Sequence, residues 1–106
     1  MKVLDQGHRY ELANLKSHGS QPISFFKDPD INGDGYPGCS CQEVIRVLID
    51  RVDFLDGQQP APENEEILSS LRRALMMFEV RALRKAIESG EPIENIPVGP
   101  LGHWFR

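Results

Sequence analysis

The clearest pattern in the sequence is a helical spacing of hydrophobic residues that starts near residue 41. In CQEVIRVLIDRVDFLDG, valine, isoleucine and leucine recur at intervals of three and four residues, which is typical of an amphipathic helix. Ser40 and Glu43 form a capping box at its start, and Gly57 is a stop signal at its end. The pattern therefore predicts a first helix over Cys41 to Asp56.

A second helix is predicted after the short connection GQQPAPEN, over the segment ENEEILSSLRRALMMFEVRALRKAIESG. Its first turn is acidic and its later part is basic, which is the order that the helix macrodipole favours, and Gly90 ends it. At 1.5 Å per residue this helix is about 40 Å long. Two helices joined by so short a connection predict an antiparallel helical hairpin.

The second helix carries two rows of hydrophobic residues on different faces. We expect the first row to pack against the first helix. The residues of this row are Ile67, Leu71, Ala74, Leu75, Phe78 and Ala82. Their expected contacts on the first helix are Val44, Leu48, Val52 and Leu55. The second row is Met76, Val80, Leu83 and Ile87. Because a two-helix hairpin can cover only one row, the second row predicts further contacts, and we expect them from both the N-terminal β region and another copy of the chain.

Residues 1–38 show patterns that are typical of short strands followed by a loop. HRYELANL alternates, PISFF is rich in strand-forming residues, and KSHGSQ between them supplies turn residues, so the segment predicts a β-hairpin. DPDINGDGYPG is dense in turn formers and predicts a loop. The Pro- and Gly-rich end, EPIENIPVGPLGHWFR, predicts an irregular tail.

These elements predict an α+β fold in a single domain over residues 1–106. It has a small N-terminal β-hairpin or sheet with its loop (1–38), a two-helix antiparallel hairpin (39–90) and a C-terminal tail (91–106). A chain of 106 residues has room for one hydrophobic core only, and it is small enough to favour oligomerisation.

Composition excludes several classes of function. The net charge of −4 argues against a partner that is a nucleic-acid polymer, which requires a basic face. The sequence holds no apolar run of the roughly 18 residues that span a bilayer, and its first residues lack the hydrophobic core of a signal peptide. Two cysteines only one residue apart do not form a structural disulfide framework, so we expect a cytoplasmic protein with no membrane partner.

The loop DINGDG resembles the start of a calcium-binding EF-hand loop. Asp30, Asn32 and Asp34 supply oxygen atoms at positions 1, 3 and 5, and Gly35 stands at position 6. Position 12, which requires a bidentate carboxylate, is Cys41, and no helix precedes the loop. We therefore favour a polar turn, and a calcium-binding module stays an alternative.

Zinc binding and catalysis have weaker support. Cys39 and Cys41 could ligate zinc together with His8 or His18, but a C-x-C pair without a second pair is a weak signal. The sequence holds no G-x-S-x-G, P-loop or H-E-x-x-H motif, and its histidines lie outside the helices. We predict no metal, no cofactor and no enzymatic activity.

Three polar or aromatic residues of the hairpin have side chains suited to binding a nucleotide. Phe54 can stack on a base, the Asn64 amide can hydrogen-bond a base edge or a ribose hydroxyl, and Arg81 can pair with a phosphate. Because Arg81 is about 25 Å along the helix from Asn64, all three can share one site only if Arg81 comes from a second, antiparallel subunit. The alternative is purely structural: Phe54 at the core edge, Asn64 as a helix cap and Arg81 in solvent.

The helical hairpin resembles the domain shared by phage anti-Thoeris and anti-CBASS proteins, which sequester cyclic nucleotides. The residues that carry the resemblance are Ser40-Cys41-Gln42-Glu43, Leu48-Ile49-Asp50-Arg51, Phe54-Leu55, Pro60, Glu63-Asn64, Leu71, Ala74-Leu75-Met76 and Arg81. YELAN and ISFFKD, with the Asn-Gly loop, are similar to the small β region of the anti-Thoeris branch. The chain departs from the family pattern at Pro62, Met77 and Arg84, and in its tail after Gly90.

The resemblance implies a phage protein of immune evasion that binds its ligand without cleaving it. The expected ligands are glycocyclic ADP-ribose isomers, cyclic oligonucleotides or both, held in the host-cell cytoplasm during infection by a homo-oligomer, a dimer or a hexamer. Phe54, Asn64 and Arg81 match the family's base-stacking, hydrogen-bonding and phosphate-pairing positions. A structural or regulatory interaction protein is the alternative from another class.

Overall fold

The computed structural model describes residues 1–104 and confirms the α+β class, because a three-stranded antiparallel sheet precedes two helices. The chain divides into two compact units, Met1–Ser40 and Cys41–Arg106. That residues 1–106 form a single domain stays a prediction.

The first unit is built on a sheet with the strand order β1-β2-β3. Its strands are β1 (Lys2–Asp5), β2 (Arg9–Ala13) and β3 (Ser20–Ser24). The predicted hairpin is confirmed as β2 and β3, with Tyr10 opposite Ile23. β1 was not predicted from the sequence, because it is only four residues long and its pairing with β2 shifts register between Val3 and Asp5.

The loop after β3 folds back, so that its second half lies beside its first half and the end of β3. Lys27 and Tyr36 exchange two backbone hydrogen bonds, of 3.0 and 3.1 Å, and the Cys39 N–H donates to Ser24 O at 2.8 Å. Gly35 and Gly38 make this return possible, since a Cβ at either position would lie within 2.4 to 2.5 Å of backbone atoms of the opposite segment. The predicted loop is therefore a closed turn pinned to the end of β3.

The second unit contains the predicted helical hairpin. Its helices are α1 (Cys41–Gln58) and α2 (Glu63–Ser89). α1 continues past Gly57, so the stop predicted there is wrong by two residues. α2 ends as predicted, because Gly90 takes a left-handed φ of 76° and its N–H donates to the last-turn carbonyls.

The hairpin core uses a different face of α1 from the one predicted. The buried residues are Ile49, Leu68 and Leu75, and Ile45, Val52 and Leu71 pack against them. Of the expected α1 contacts only Val52 takes part, whereas Leu48 and Leu55 are exposed. On α2, Leu68 is buried where Ile67 was expected. Successive residues of a helix lie about 100° apart around its axis, so an error of one position assigns the core to a neighbouring face of the helix.

Residues 91–104 of the C-terminal tail contain short regular elements, which corrects the prediction of an irregular segment. It contains a 3-10 turn (Ile93–Asn95) and the two short strands β4 (Pro97–Val98) and β5 (His103–Trp104), which pair antiparallel. Gly99 and Gly102 form the turn between these strands, with the Gly102 N–H donating to Gly99 O at 3.1 Å. Segments of two residues give no detectable hydrophobic period, so the sequence pattern could not reveal them.

A buried arginine of α1 fastens this tail to the hairpin. Arg46 is only 6% exposed, and its guanidinium donates to Gly99 O at 2.9 Å, Pro97 O at 3.1 Å and the Glu43 carboxylate at 3.1 Å. Glu79 of α2 lies 3.9 Å from the guanidinium and accepts the Gly99 N–H at 2.8 Å. The Arg46 clasp, defined as Arg46, Glu43, Glu79 and the Pro97 and Gly99 carbonyls, therefore joins α1, α2 and the tail.

We predict that Arg46→Ala lowers the free energy of unfolding by about 3–5 kcal/mol, because it removes a buried charged donor and leaves three half-buried acceptors, the carbonyls of Pro97 and Gly99 and the carboxylate of Glu79, without it. Chemical denaturation followed by circular dichroism measures this loss. The matched control is Arg84→Ala, which removes an exposed ion pair with Glu88 and should cost less than about 0.5 kcal/mol. Equal stabilities of the two variants would show that the clasp contributes nothing.

Candidate functional site

In the candidate calcium loop, the carboxylate of Asp30 accepts hydrogen bonds from backbone N–H groups of the same loop. Oδ1 of Asp30 accepts the N–H groups of Asn32 at 2.8 Å and Asp34 at 3.0 Å. These hydrogen bonds lower the pKa of Asp30 below its ordinary value, and the bond from the Asp34 N–H has the larger effect. Within residues 1–104 no group of three or more His, Cys, Asp and Glu side chains could hold a metal ion. Cys39 and Cys41, the candidate zinc ligands, are free and exposed.

A polar cluster ties the same loop to β1. The Tyr36 hydroxyl donates to Oδ2 of Asp5 at 2.6 Å, and Nζ of Lys27 donates to the same oxygen at 3.1 Å. The Arg9 guanidinium lies 4.1 Å from the centre of the Tyr36 ring. The bond to Tyr36, followed by that to Lys27, lowers the pKa of Asp5, and the same carboxylate raises the pKa of Tyr36 and of Lys27. The cluster therefore holds the loop against β1.

Phe54 is a surface residue of α1 and not part of the core. Its side chain is 59% exposed, and it lies two residues after Val52, which packs against the core, so it is about 200° around the helix from that core position. The structural alternative of a core-edge residue therefore does not describe it. An exposed phenylalanine ring is available to stack on a planar group.

Asn64 is fixed across the turn of the hairpin. Its Nδ2 donates to Oδ1 of Asp56 at 2.9 Å, and the same oxygen accepts the Ala61 N–H at 3.5 Å. Pro62, and not Asn64, is the N-cap residue of α2, so the predicted capping role is wrong. The hydrogen bonds of residues 1–104 leave the amide oxygen of Asn64 unused, so this half-buried group can accept from a ligand.

Arg81 lies in a groove on α2 together with an aromatic ring and a second arginine. Its Cζ lies 4.9 Å from the centre of the Phe78 ring. The groove has a volume of about 590 Å³, and its lining residues are Ala74, Met77, Phe78, Val80, Arg81 and Arg84. Arg84 also contacts Glu88, at 3.9 Å, in an exposed ion pair. A mostly apolar lining with two guanidinium groups suits a flat organic anion.

The structure does not bring Phe54, Asn64 and Arg81 together within one chain. Phe54 and Asn64 lie on the two sides of the hairpin turn, whereas Arg81 is 17 residues beyond Asn64 on α2. At 1.5 Å per residue that separation is about 25 Å. Phe78 and Arg84 were missed by the sequence analysis, although their spacing of three residues on either side of Arg81 places them on its face of the helix.

No protein-family model matches the chain, and no curated protein matches it either. Among the described residues, no helix is long and apolar enough to cross a membrane.

We predict that Tyr36 titrates above its ordinary pKa of 10.0, and that Asp5→Asn moves this pKa back toward 10.0. In a Tyr10→Phe background Tyr36 is the only tyrosine, so the absorbance of tyrosinate reports it alone. Because the folded pKa is raised, the contribution of this bond to stability is complete below pH 10.0 and is lost as pH rises through the raised value. An unchanged pKa in the Asp5→Asn variant would contradict the assignment.

Proposed function

We propose that this protein binds and sequesters a cyclic nucleotide that serves as an immune signal, without cleaving it. The observation that carries the proposal is the pair of exposed arginines beside the Phe78 ring in the groove of α2. The resemblance of the hairpin to phage anti-Thoeris and anti-CBASS proteins supports the same ligand class. The proposal places the protein in the cytoplasm of an infected host cell.

The candidate side chains suit the two parts of such a ligand, its phosphates and its bases. A phosphate is recognised by guanidinium groups, which offer several N–H donors in a planar fork. The Phe78 ring limits the positions that the Arg81 guanidinium can take, so less freedom is lost when a phosphate binds. Phe54 supplies an exposed ring for the base, and Asn64 supplies an amide that is already oriented by Asp56.

The ligand requires a homo-oligomer, because one chain cannot place its base-binding and phosphate-binding residues together. A cyclic nucleotide is far smaller than the separation of about 25 Å between Asn64 and Arg81 on one helix. The second hydrophobic row of α2 is also available for association, since Met76, Val80 and Ile87 are exposed by 54%, 53% and 70%. We propose a dimer as the smallest binding unit, and a hexamer as a possible assembly of such units.

A structural or regulatory interaction protein is the second candidate. It is favoured by exposed hydrophobic side chains on both helices, among them Val47 and Ile87. Light scattering and thermal melting separate the two candidates. A homo-oligomer whose melting temperature rises with a cyclic nucleotide supports sequestration, whereas a monomer without any shift supports an adaptor for another polypeptide.

We predict that Arg81→Ala weakens binding of a cyclic nucleotide by about 10- to 150-fold, because a hydrogen bond to a charged group contributes about 1.5–3 kcal/mol. Isothermal titration calorimetry with cyclic ADP-ribose isomers, cyclic dinucleotides and cyclic trinucleotides measures the loss. Arg73→Ala is the matched control, since Arg73 is an exposed arginine of α2 outside the groove. Equal heats from wild type and Arg81→Ala would remove Arg81 from the site.

We predict that Phe54→Ala weakens the same binding by about 5- to 150-fold and leaves the melting temperature unchanged, because stacking on one base contributes about 1–3 kcal/mol. The unchanged melting temperature follows from the exposure of the ring. Val47→Ala is the control, because Val47 is a hydrophobic residue of α1 with a similar exposure of 62%. If both variants bind as wild type does, Phe54 does not contact the ligand.

A further inference from the structure

Another cavity lies at the turn of the hairpin and shares no lining residue with the groove of α2. It has a volume of about 340 Å³, which is within the range of small-molecule pockets. Its lining residues are Asp56, Ala61, Pro62, Glu65, Leu68 and Arg72. Because the two lining sets are separate, a ligand in this turn cavity leaves Arg81 and the groove open.

The lining of the turn cavity combines apolar surface with opposite charges. Leu68 is buried, and Ala61 and Pro62 add carbon surface from the turn. Glu65, Leu68 and Arg72 follow each other at a spacing of i, i+3 and i+7, so they share one face of α2. At 1.5 Å per residue the acid and the base lie about 10 Å apart along the helix, with Leu68 between them.

The charges of Glu65 and Arg72 are available to a ligand. Neither side chain takes part in an ion pair or a hydrogen bond among residues 1–104, and they do not pair with each other. Oδ1 of Asp56, in contrast, already accepts Nδ2 of Asn64 at 2.9 Å. Asp56 therefore connects the turn cavity to Asn64, the residue that we assign to base or ribose recognition.

We propose that the turn cavity binds a guanine base of the cyclic nucleotide. One edge of guanine presents two adjacent donors, N1–H and the N2 amine, which suit the two oxygens of the Glu65 carboxylate. The next edge presents the acceptors O6 and N7, which an arginine contacts with two hydrogen bonds, and Arg72 supplies that arginine. The side chains of Leu68 and Pro62 provide apolar surface for the ring.

Adenine does not satisfy the same two charges. Its N1 acceptor stands where guanine has a donor, so one carboxylate oxygen would meet a lone pair. Its N6 amine stands where guanine has O6, so a donor would face the Arg72 guanidinium. A phosphate is also disfavoured, because Asp56 and Glu65 both repel it.

This inference deepens the proposed function and rests on it where it names a cyclic nucleotide. Among the ligands considered above, the turn cavity selects a cyclic oligonucleotide that contains guanine over the cyclic ADP-ribose isomers, whose base is adenine. The phosphates of such a ligand stay outside the cavity and remain available to Arg81 of another subunit.

The first test compares two ligands that differ only in their bases. Isothermal titration calorimetry of the full chain with cyclic di-GMP and cyclic di-AMP keeps the sugar–phosphate ring constant. We expect cyclic di-GMP to bind about 5- to 150-fold more tightly, which is the discrimination that one bidentate contact provides. Equal affinities, or a preference for cyclic di-AMP, would refute the guanine site and leave sequestration standing.

The second test removes each charge in turn and measures the ratio of the two affinities, which partial unfolding of a variant does not change. We expect Glu65→Gln and Arg72→Ala each to bring the two ligands to within about threefold of each other. The matched controls are Glu66→Gln and Arg73→Ala, whose residues are exposed neighbours outside the cavity, and both should keep the preference of wild type. A preference unchanged in all four variants would place the base elsewhere and overturn the proposal.

The third test uses the nucleoside alone and is independent of the proposed function. In proton–nitrogen NMR spectra of the full chain, we expect guanosine to shift the backbone amide signals of Ala61 and Leu68. Inosine, which lacks the N2 amine, should shift them less at the same concentration, and Glu65→Gln should not respond to guanosine.

The outcomes of the third test separate the two proposals. These shifts in a protein that binds no cyclic nucleotide would uphold the guanine site and refute sequestration. No shift with guanosine, or equal shifts with adenosine, would overturn the guanine site. Displacement of guanosine by spermidine, a cation that offers donors and no acceptors, would show a cation site instead and would overturn it as well.

Discussion

A pair of helices can bury only one face of each helix against the other, and this constraint governs the second unit. The contact between α1 and α2 buries Ile49, Leu68 and Leu75. Hydrophobic residues on the remaining faces, such as Met77 and Ile87, stay exposed. So much apolar surface on a short chain favours association, since contiguous exposed patches usually mark interfaces. The same geometry separates Arg81 from Asn64, so these two residues can belong to one site only in an oligomer.

The Arg46 clasp shows how a small core is supplemented by polar contacts. One guanidinium satisfies two tail carbonyls and lies beside two carboxylates, so the tail has a fixed position although its strands are only two residues long. Removing a charge from water is unfavourable unless its hydrogen bonds are satisfied, and in this case they are. The arrangement gives the tail a defined place on the hairpin with little hydrophobic burial.

The sequence pattern predicted the helices well because they are long and periodic, and Gly90 marked the end of α2 through its backbone freedom alone. It missed β1 and the β4–β5 ladder, whose pairing depends on partners distant in sequence. It also misplaced the core face of α1, because Val44, Ile45, Leu48 and Ile49 give two overlapping helical rows and only packing selects between them. At the site, the roles of Phe54, Asn64 and Arg81 stay predictions, whereas the position of the Phe78 ring beside Arg81 depends on side-chain packing that the sequence pattern does not show.

The hydrogen bond between Asn64 and Asp56 has a consequence for the kinetics of any complex formed at the hairpin turn. A side chain that is already held in one rotamer loses little conformational entropy when a ligand arrives. Preorganisation of this kind lengthens the residence time of a ligand, because differences in affinity among related complexes reside mostly in their dissociation rates. For the proposed role of sequestration, a slow release of the ligand matters more than a fast capture.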